Sequence, residues 1–400
     1  MTDHVDYAHF PDFDFAQNEV FLKNPWTAWD HFRENYAAFR ADFSPEPAWV
    51  ITGYEDSHAA LHDYELFSNS NVTVNQPNGM HRFIPEELDP PLHGKYRQIV
   101  TPFFTPGVVR KIEPKVRAWC IELINRFASD GECDFVTQFA SLFPTVIFME
   151  IMGLDVNRAP ELLQMVHELM HTNNDEDPDF AIRIGAVGKI LGMFDELLDA
   201  RAIDARDDVV TAIVQGVVDG DPISRDDMQQ MCLLLYMAGL DTVAGALSSY
   251  FHYFAQNDDQ RKLITEDTSR IPLAVEELLR AFSIVNTGRV VTRDVEHLGC
   301  PMRTGDRVLV STISANRDPR EFPDADQIIL DRTPNRHMAF GIGPHRCLGS
   351  FLARAELTIA LEEWHRLIPN YALAPDVAIT FRAGGVVGLD HLPLAWDTSR

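Results

Sequence analysis

The sequence predicts a mainly α protein with a small β region. Apolar residues recur three and four positions apart over long stretches, which is the pattern of helices that bury one face. Shorter stretches are rich in β-branched and aromatic residues and are bounded by Gly, Pro, Asp or Asn, which is typical of strands and turns. Helices therefore form most of the fold, and a small sheet flanks them.

The elements follow from these patterns in chain order. The clearest helical stretches are residues 117–128, 160–171, 181–202, 226–257 and 350–367, and the β-rich stretches are residues 48–54, 288–312 and 379–396. The polar run TNNDEDPDF at 172–180 separates two helical stretches and predicts a surface loop. The length of 400 residues is compatible with two or three domains, but no linker or repeat marks a boundary.

The net charge of the chain limits the kinds of molecule that it is expected to bind. The formal net charge is −26, and this argues against nonspecific binding to nucleic acid or to an anionic membrane, which need clustered Lys and Arg. The first fifteen residues lack the basic start and apolar run of a signal peptide or anchor. We expect a soluble, cytoplasmic protein that binds neither nucleic acid nor membrane.

The cysteine at position 347 lies in an unusual loop. The five cysteines are scattered without a CxxC pair, which suits a reducing compartment. Cys347 stands among Gly341, Gly343, Pro344 and Gly349, directly before the helical stretch 350–367. A helix N-terminus, backbone N–H groups and a metal each favour a thiolate, and glycines allow the backbone to approach a flat cofactor closely. The alternative is a buried free cysteine that acts as a small hydrophobic residue.

Two polar residues interrupt the apolar stretch MCLLLYMAGLDTVAGALSSYFHYF. Asp241 carries a charge there, and the Thr242 hydroxyl is placed to bond the carbonyl of Ala238, four residues earlier. Gly239 leaves space for a small ligand against the distorted helix. The alternative is ordinary packing with Asp241 as a paired buried acid.

The cysteine loop resembles the haem-binding signature of cytochromes P450, which Phe340, Gly341, Gly343, Arg346, Cys347 and Gly349 match. The segment AGLDT is similar to the oxygen-activation motif of that family. The resemblance implies a haem-thiolate monooxygenase with haem b, in which Cys347 is the proximal ligand and Phe340 packs beside its sulfur. It also implies that Asp241 is a gate for proton delivery and that Thr242 is a hydrogen-bonding partner of dioxygen.

Further residues take expected roles from the same resemblance. The cofactor-binding set is His93, Arg97, Ala238, Arg289, Phe340, Gly341, His345, Cys347 and Gly349, with Cys347 as the metal ligand. Glu277 and Arg280 have the i, i+3 spacing of an ordinary helix pair, but with Arg332 they resemble a Glu-Arg-Arg cluster with a structural role. The resemblance extends over essentially the whole chain and implies one domain, residues 1–400, with haem between the long distal helix and the proximal cysteine loop.

The substrate pocket is expected to be mainly apolar. The closest resemblance is to the bacterial camphor hydroxylase group, and His81 stands where that group has a tyrosine that holds the ketone oxygen. The implied lining comprises His81, Phe83, Leu234, Met237, Ala238, Val285, Gly385 and Val386. We expect hydroxylation of a small hydrophobic substrate, a terpenoid or norisoprenoid, with fatty acids and aromatic compounds as alternatives.

Electrons are expected from outside the chain. No flavin or nicotinamide fingerprint is present, and the resemblance implies an iron–sulfur ferredoxin with an NAD(P)H-dependent ferredoxin reductase, together with O2. The basic residues Arg110, Lys111, Lys115, Arg117 and Arg346 predict a docking surface for an acidic ferredoxin, or else a solvated helix face. Two other functions remain open: a peroxide-driven or ligand-binding haem protein, and a helical scaffold or zinc protein without haem.

Overall fold

The computed structural model describes residues 7–11, 13–15, 17–42, 46–73, 82–172, 176–375 and 377–398. The α-helices are Glu19–Lys23 (α1), Pro25–Asn35 (α2), Tyr54–His62 (α3), Leu92–Val100 (α4), Pro106–Asn125 (α5), Leu142–Met152 (α6), Ala159–Val166 (α7), Ala181–Ile203 (α8), Val209–Val214 (α9), Arg225–Leu240 (α10), Thr242–Gln256 (α11), Asp258–Glu266 (α12), Ile271–Ala281 (α13), Thr312–Ala315 (α14) and Ser350–Leu367 (α15). Two π-helical turns, Val136–Ala140 and His167–His171, precede α6 and follow α7.

The strands are short. They are His9–Phe10 (β1), Ala38–Ala41 (β2), Ala48–Ile51 (β3), Phe67–Ser68 (β4), Glu132–Asp134 (β5), Val217–Val218 (β6), Asp221–Pro222 (β7), Thr287–Val291 (β8), Val295–His297 (β9), Cys300–Met302 (β10), Arg307–Val310 (β11), Ala372–Leu373 (β12), Phe381–Ala383 (β13), Val387–Leu389 (β14) and Pro393–Ala395 (β15). The largest sheet has the order β1-β2-β3-β11-β8-β4. Within it β3 and β11 run parallel, and β8 runs antiparallel to β11.

The long apolar stretch that the sequence predicts as one helix forms two consecutive helices. The first, α10, begins after Ser224, whose side chain accepts a hydrogen bond from the backbone N–H of Asp227 at 3.0 Å. It ends at Leu240, and α11 starts at Thr242, so Asp241 lies at the interruption. The predicted helical stretch 226–257, with its expected distortion near Gly239 and Thr242, is therefore divided at one residue.

The pair α10 and α11 lies in the middle of the core. The combined span Arg225–Gln256 is long and apolar enough to cross a membrane, with a mean hydropathy of 1.5, but 72% of its most apolar window is buried inside the protein. Side chains of α11 such as Leu247, Phe251 and Phe254 are fully buried in the large hydrophobic cluster. Burial on all sides explains the apolar composition without a lipid environment.

Most of the remaining predicted elements form, with shifted ends. Stretch 350–367 forms α15 with the same bounds and stretch 181–202 forms α8, which ends one residue later, at Ile203. Stretch 117–128 covers only the second half of α5, and stretch 160–171 runs from α7 into the following π-helical turn. The three β-rich stretches contain β3, most of β8, β9 to β11 and β13 to β15. The mainly α prediction with a small β region is confirmed. The sequence analysis did not identify β2 or β5, because strands of three or four residues carry too little alternation to be recognised.

Candidate functional site

A cavity of about 440 Å³ lies where α10 and α11 face the loop that contains Cys347. Ala238, Gly239 and Thr242 line it from the helix pair, and Phe340 and Cys347 line it from the loop. The two motifs are about one hundred residues apart in the sequence and meet at one cavity. Their chemistry can therefore act on a single bound group.

The loop geometry presents the Cys347 thiol to this cavity. Gly341 and Gly343 adopt left-handed backbone conformations with φ of 60° and 70°, which L side chains rarely adopt. The backbone N–H of Cys347 donates to the carbonyl of Phe340 at 2.7 Å and closes the loop. A backbone N–H of Gly349 donates to the sulfur. These constraints hold the sulfur in place immediately before the start of α15.

Cys347 differs from the other cysteines in its access to open space. Cys120, Cys133, Cys232 and Cys300 are buried among core side chains, whereas Cys347 is exposed to the cavity. Burial raises the pKa of the Cys347 thiol, while the Gly349 N–H group and the Arg97 charge oppose that rise. A bound metal cation would complete the stabilisation of a thiolate here.

The Thr242 hydroxyl is hydrogen-bonded to the backbone of the preceding helix. Its Oγ1 donates to the carbonyl oxygen of Ala238 at 2.9 Å, as the sequence predicts. Thr242 lines the cavity, and the preceding Asp241 is buried with 4% exposure. A hydroxyl on the cavity and a carboxylate behind it therefore lie next to each other in the chain.

Gly239 has a packing constraint that the sequence does not reveal. A Cβ atom at this position would lie 2.7 Å from Cδ2 of Phe148, so the absent side chain makes room for the Phe148 ring. Gly239 also lines the cavity, where its expected role beside a small ligand stays a prediction. Gly245 is constrained in the same way, because a Cβ there would lie 2.5 Å from the Val387 carbonyl oxygen.

Two residues that the sequence analysis did not identify hold the Asp241 carboxylate. His171 Nε2 lies 2.9 Å from Asp241 Oδ1, and Arg382 Nη2 donates to the same oxygen at 3.1 Å. Burial alone raises the pKa of Asp241, but Arg382 and His171 outweigh it and hold this pKa well below its usual range. Arg382 also pairs with Asp390. No spacing in the sequence connects these residues, since they come from three distant elements.

Two cavity-lining arginines have the chemistry to hold an anionic group. Arg289 is buried, donates only to the Gly288 carbonyl and the Thr287 hydroxyl, and burial lowers its pKa to about 10. Arg97 donates to the Arg346 carbonyl. Across the described ranges neither guanidinium forms a close ion pair with a carboxylate, although the charge of Glu86, which also lines the cavity, acts on both. Two guanidinium groups at one cavity fit the two propionate groups of a haem.

The histidines of the expected cofactor set lie together. The His93 and His345 ring centroids are 4.0 Å apart, and His93 Nε2 and both His345 nitrogens are buried without a hydrogen-bond partner. Burial, with the nearby Arg97 charge, lowers the pKa of His93 to about 4. Unpaired buried nitrogens indicate that a polar group completes this site. With the arginines and the thiol they fit haem b. His93 does not itself line the cavity.

The expected substrate residues fall into two groups. Phe83, Leu234, Met237, Val285, Gly385 and Val386 all line the cavity, as do the cofactor residues Ala238, Gly341 and Gly349. His81 lies outside the described residues. Within the described part of the chain, the wall of the cavity is therefore largely apolar.

The predicted Glu-Arg-Arg residues form a buried cluster. Arg280 donates through Nη2 and Nε to the two Glu277 carboxylate oxygens at 2.8 and 2.9 Å, and Arg332 Nε lies 3.1 Å from both. Glu277 and Arg280 are completely buried. Arg280 further donates to the carbonyls of Asn316 and Ala325. The cluster thus ties α13 to the segment that leads to the cysteine loop.

Comparison with known proteins gives consistent matches. A sequence model of the family described as Cytochrome P450 matches residues 15–377. The probable cytochrome P450 127A1 of Sinorhizobium fredii is 36% identical over 350 residues, covering 87% of this chain and 83% of the relative. The steroid C26-monooxygenase of Mycobacterium tuberculosis is 31% identical and covers 97% and 98%. The crystal structure of CYP101J2 has a TM-score of 0.87 at 27% identity and covers 97% of both chains.

Proposed function

The chain belongs to the cytochrome P450 family and is a monooxygenase with haem b as its cofactor, and from this premise we propose that it hydroxylates a compact hydrophobic molecule, a terpenoid or norisoprenoid. Family membership alone does not select the substrate, since one relative is named a steroid C26-monooxygenase. The substrate class is therefore argued from the cavity.

The observation that carries the proposal is the apolar wall beside the predicted oxygen-activating residues. Phe83, Leu234, Met237, Val285 and Val386 line the same cavity as Thr242. Apolar side chains favour a hydrophobic ligand by excluding water from it, and they fix its orientation only by shape.

We assign the cofactor-holding roles to residues that surround this cavity. Cys347 binds the haem iron through its sulfur, and Arg97 and Arg289 hold the propionates, with His93 and His345 as further donors. When bound, haem supplies the activation of dioxygen and the oxidation of the C–H bond. Phe340 packs beside the loop, where the Arg354 guanidinium lies 4.5 Å from its ring centroid.

Asp241 and Thr242 are proposed to move protons to the cavity. The Thr242 hydroxyl bonds the Ala238 carbonyl and faces the cavity, so it can hand on a proton without leaving its helix. The Asp241 carboxylate is buried behind it and is held by His171 and Arg382. Proton delivery thus requires Asp241 to be released, at least in part, from these two cations.

Electrons are proposed to come from an iron–sulfur ferredoxin with its NAD(P)H-dependent reductase. Of the basic residues expected at the docking surface, Arg110, Lys111 and Arg346 are exposed. Lys115 pairs with Glu150, and Arg117 pairs with Glu362 and Glu363. Within the described part of the chain the first three form no ion pair, so the docking charge rests mainly on them. We further propose a cytoplasmic protein and one domain over residues 1–400.

Spectroscopy of the haem-loaded protein tests the proposed function. The reduced, carbon monoxide-treated protein should show the strongly red-shifted Soret band of thiolate ligation, and Cys347→Ser should lose it while Cys120→Ser keeps it. Turnover of terpenoids and norisoprenoids with ferredoxin, reductase, NADH and O2 should exceed turnover with hydrogen peroxide. A folded, haem-loaded protein without that band would refute the assignment, and faster peroxide turnover would favour a peroxide-driven enzyme.

A further inference from the structure

Arg354 on α15 lies behind the wall of the cavity at the cysteine loop. Its guanidinium carbon is 4.5 Å from the centroid of the Phe340 ring. Phe340 lines the cavity whereas Arg354 does not, so the guanidinium meets the ring from outside the cavity. The Phe340 carbonyl accepts the backbone N–H of Cys347 at 2.7 Å. A positive charge therefore contacts the residue that closes the cysteine loop.

Glu276 on α13 binds this guanidinium through both of its carboxylate oxygens. Arg354 Nε and Nη2 donate to them at 2.5 and 2.9 Å, and Arg354 Nη1 donates to the Ser350 carbonyl at 3.3 Å. The Arg354 and Glu276 side chains are 27% and 30% exposed, so water screens their charges only in part. Three hydrogen bonds therefore fix the guanidinium against the Phe340 ring before a cofactor binds.

His337 also contacts the Glu276 carboxylate. Its Nε2 lies 3.0 Å from Glu276 Oε2, and its Nδ1 accepts the backbone N–H of Ala339 at 3.2 Å. Because Nδ1 is an acceptor, the ring proton is on Nε2, which donates to Glu276 and leaves His337 neutral. Burial raises the pKa of Glu276, but Arg354 and His337 outweigh it and lower this pKa to about 2. The group therefore contains one cation, one anion and a neutral imidazole at neutral pH.

The charge of Arg354 reaches the sulfur of the cysteine loop. It favours the negatively charged form of Cys347. Glu276 cancels part of this effect, because its carboxylate is bound directly to the guanidinium. Reduction of an iron bound to Cys347 adds one negative charge to the site, so a nearby positive charge favours the reduced state and a nearby negative charge opposes it.

We propose that Arg354 is a positioning residue that holds its charge and the Phe340 ring against the cysteine loop, and that the balance between Arg354 and Glu276 sets the reduction potential of the haem. This inference rests on the proposed function, because it requires haem ligation by Cys347. The adjacent Glu277 belongs to the structural cluster, so two neighbouring carboxylates of α13 have different roles.

The midpoint potential of the haem-loaded full chain tests the proposal, measured by spectroelectrochemical titration at neutral pH without substrate. Arg354→Gln removes a positive charge and should lower the midpoint potential, whereas Glu276→Gln removes a negative charge and should raise it. Each shift should change the ratio of reduced to oxidised haem at a fixed potential by about three- to tenfold, where tenfold is about 59 mV for one electron. Lost packing alone would move both potentials in the same direction, so opposite signs identify the charges.

Two further variants separate charge from structure. Arg354→Lys keeps the positive charge without the planar group and should restore most of the potential that Arg354→Gln loses. Arg366→Gln removes an exposed guanidinium from the same helix, roughly 18 Å further along its axis, and should leave the midpoint potential unchanged.

Shifts of the two Gln variants in the same direction, or no shift in either, would overturn the inference. If Glu276→Gln does not retain haem, Arg354→Gln and Arg354→Lys decide, and a lowered potential that Lys does not restore contradicts the proposal. The carbon monoxide spectrum of the wild-type protein separates this failure from a failure of the proposed function. A missing red-shifted band refutes ligation by Cys347, whereas a normal band with unaltered potentials refutes only the role of Arg354.

Discussion

His171 Nε2 lies 2.9 Å from Asp241 Oδ1, although 70 residues separate them in the sequence. Arg382 approaches the same carboxylate oxygen at 3.1 Å from the β13–β14 hairpin. The Asp241 carboxylate is therefore held both by the π-helical turn that follows α7 and by the β13–β14 hairpin. Any movement of these elements away from α11 changes the charge environment of Asp241.

Arg382→Gln should destabilise the protein. The Asp241 and Arg382 side chains are 5% and 15% exposed, and removal of one partner of a buried pair leaves a poorly compensated charge. We expect a loss of about 3 kcal/mol in the free energy of unfolding at pH 7, measured by denaturant titration. Arg206→Gln, which breaks the exposed pair with Asp204, is the control and should change the free energy by less than about 1 kcal/mol.

The stabilisation lost in Arg382→Gln should depend on pH. Because folding lowers the pKa of Asp241, the ionised carboxylate contributes fully to the free energy of unfolding above the unfolded-state pKa of about 3.9. This contribution is lost as pH falls below that value. The stability difference between wild type and Arg382→Gln should stay constant from pH 7 to pH 5 and narrow below about pH 4. A difference that widened on acidification would contradict the assigned pair.

Thr242→Ala should uncouple electron consumption from product formation. Without the hydroxyl on the Ala238 carbonyl, the cavity loses the donor that hands protons on, while the apolar wall that binds substrate is unchanged. We expect product per NADH to fall by about tenfold or more with NADH oxidation maintained. Thr242→Ser retains a hydroxyl and should keep most of the coupling. Full coupling in Thr242→Ala would show that the hydroxyl is not used.

Arg289→Ala should weaken haem retention. The Arg289 guanidinium is buried at the cavity, and among the described residues its hydrogen bonds go to the Thr287 hydroxyl and the Gly288 carbonyl rather than to a carboxylate. One charge-assisted hydrogen bond to a propionate contributes about 1.5–3 kcal/mol, so haem transfer to apomyoglobin should be about tenfold or more faster. Arg293→Ala, at an exposed position four residues later in the sequence, is the control for the rate of haem transfer. Equal transfer rates for the two variants would remove Arg289 from the cofactor set.

Glu277→Gln should be among the most destabilising single substitutions. The Glu277 carboxylate is completely buried and accepts hydrogen bonds from Arg280 and Arg332. In the variant these two guanidinium groups would face a neutral amide. We expect a loss of about 3–5 kcal/mol in the free energy of unfolding. Glu122→Gln on the surface of α5, whose pair with Arg126 is about half exposed, should have an effect below about 0.5 kcal/mol. If the two variants were equally stable, the cluster would not hold the proximal segment.

The helices and the cysteine loop were predictable because their signals are local. The stretch 350–367 has apolar residues at helical spacing and forms α15 with those bounds, and Gly341 and Gly343 adopt backbone conformations that only glycine adopts easily. The interruption at Asp241 was signalled in part by Thr242 and Ala238, four residues apart. Such features depend on contacts within one or two turns of the chain.

The sequence by itself determined which residues can bind a haem, a proton or an apolar ligand, because residue type and short-range spacing set those capacities. Only the tertiary structure decided which groups meet. It placed His171 and Arg382 on Asp241, packed the Phe148 ring against Gly239, and joined Glu277 to Arg332. These contacts join elements far apart in the chain, and their distances follow from how whole helices and strands pack, which no local pattern encodes.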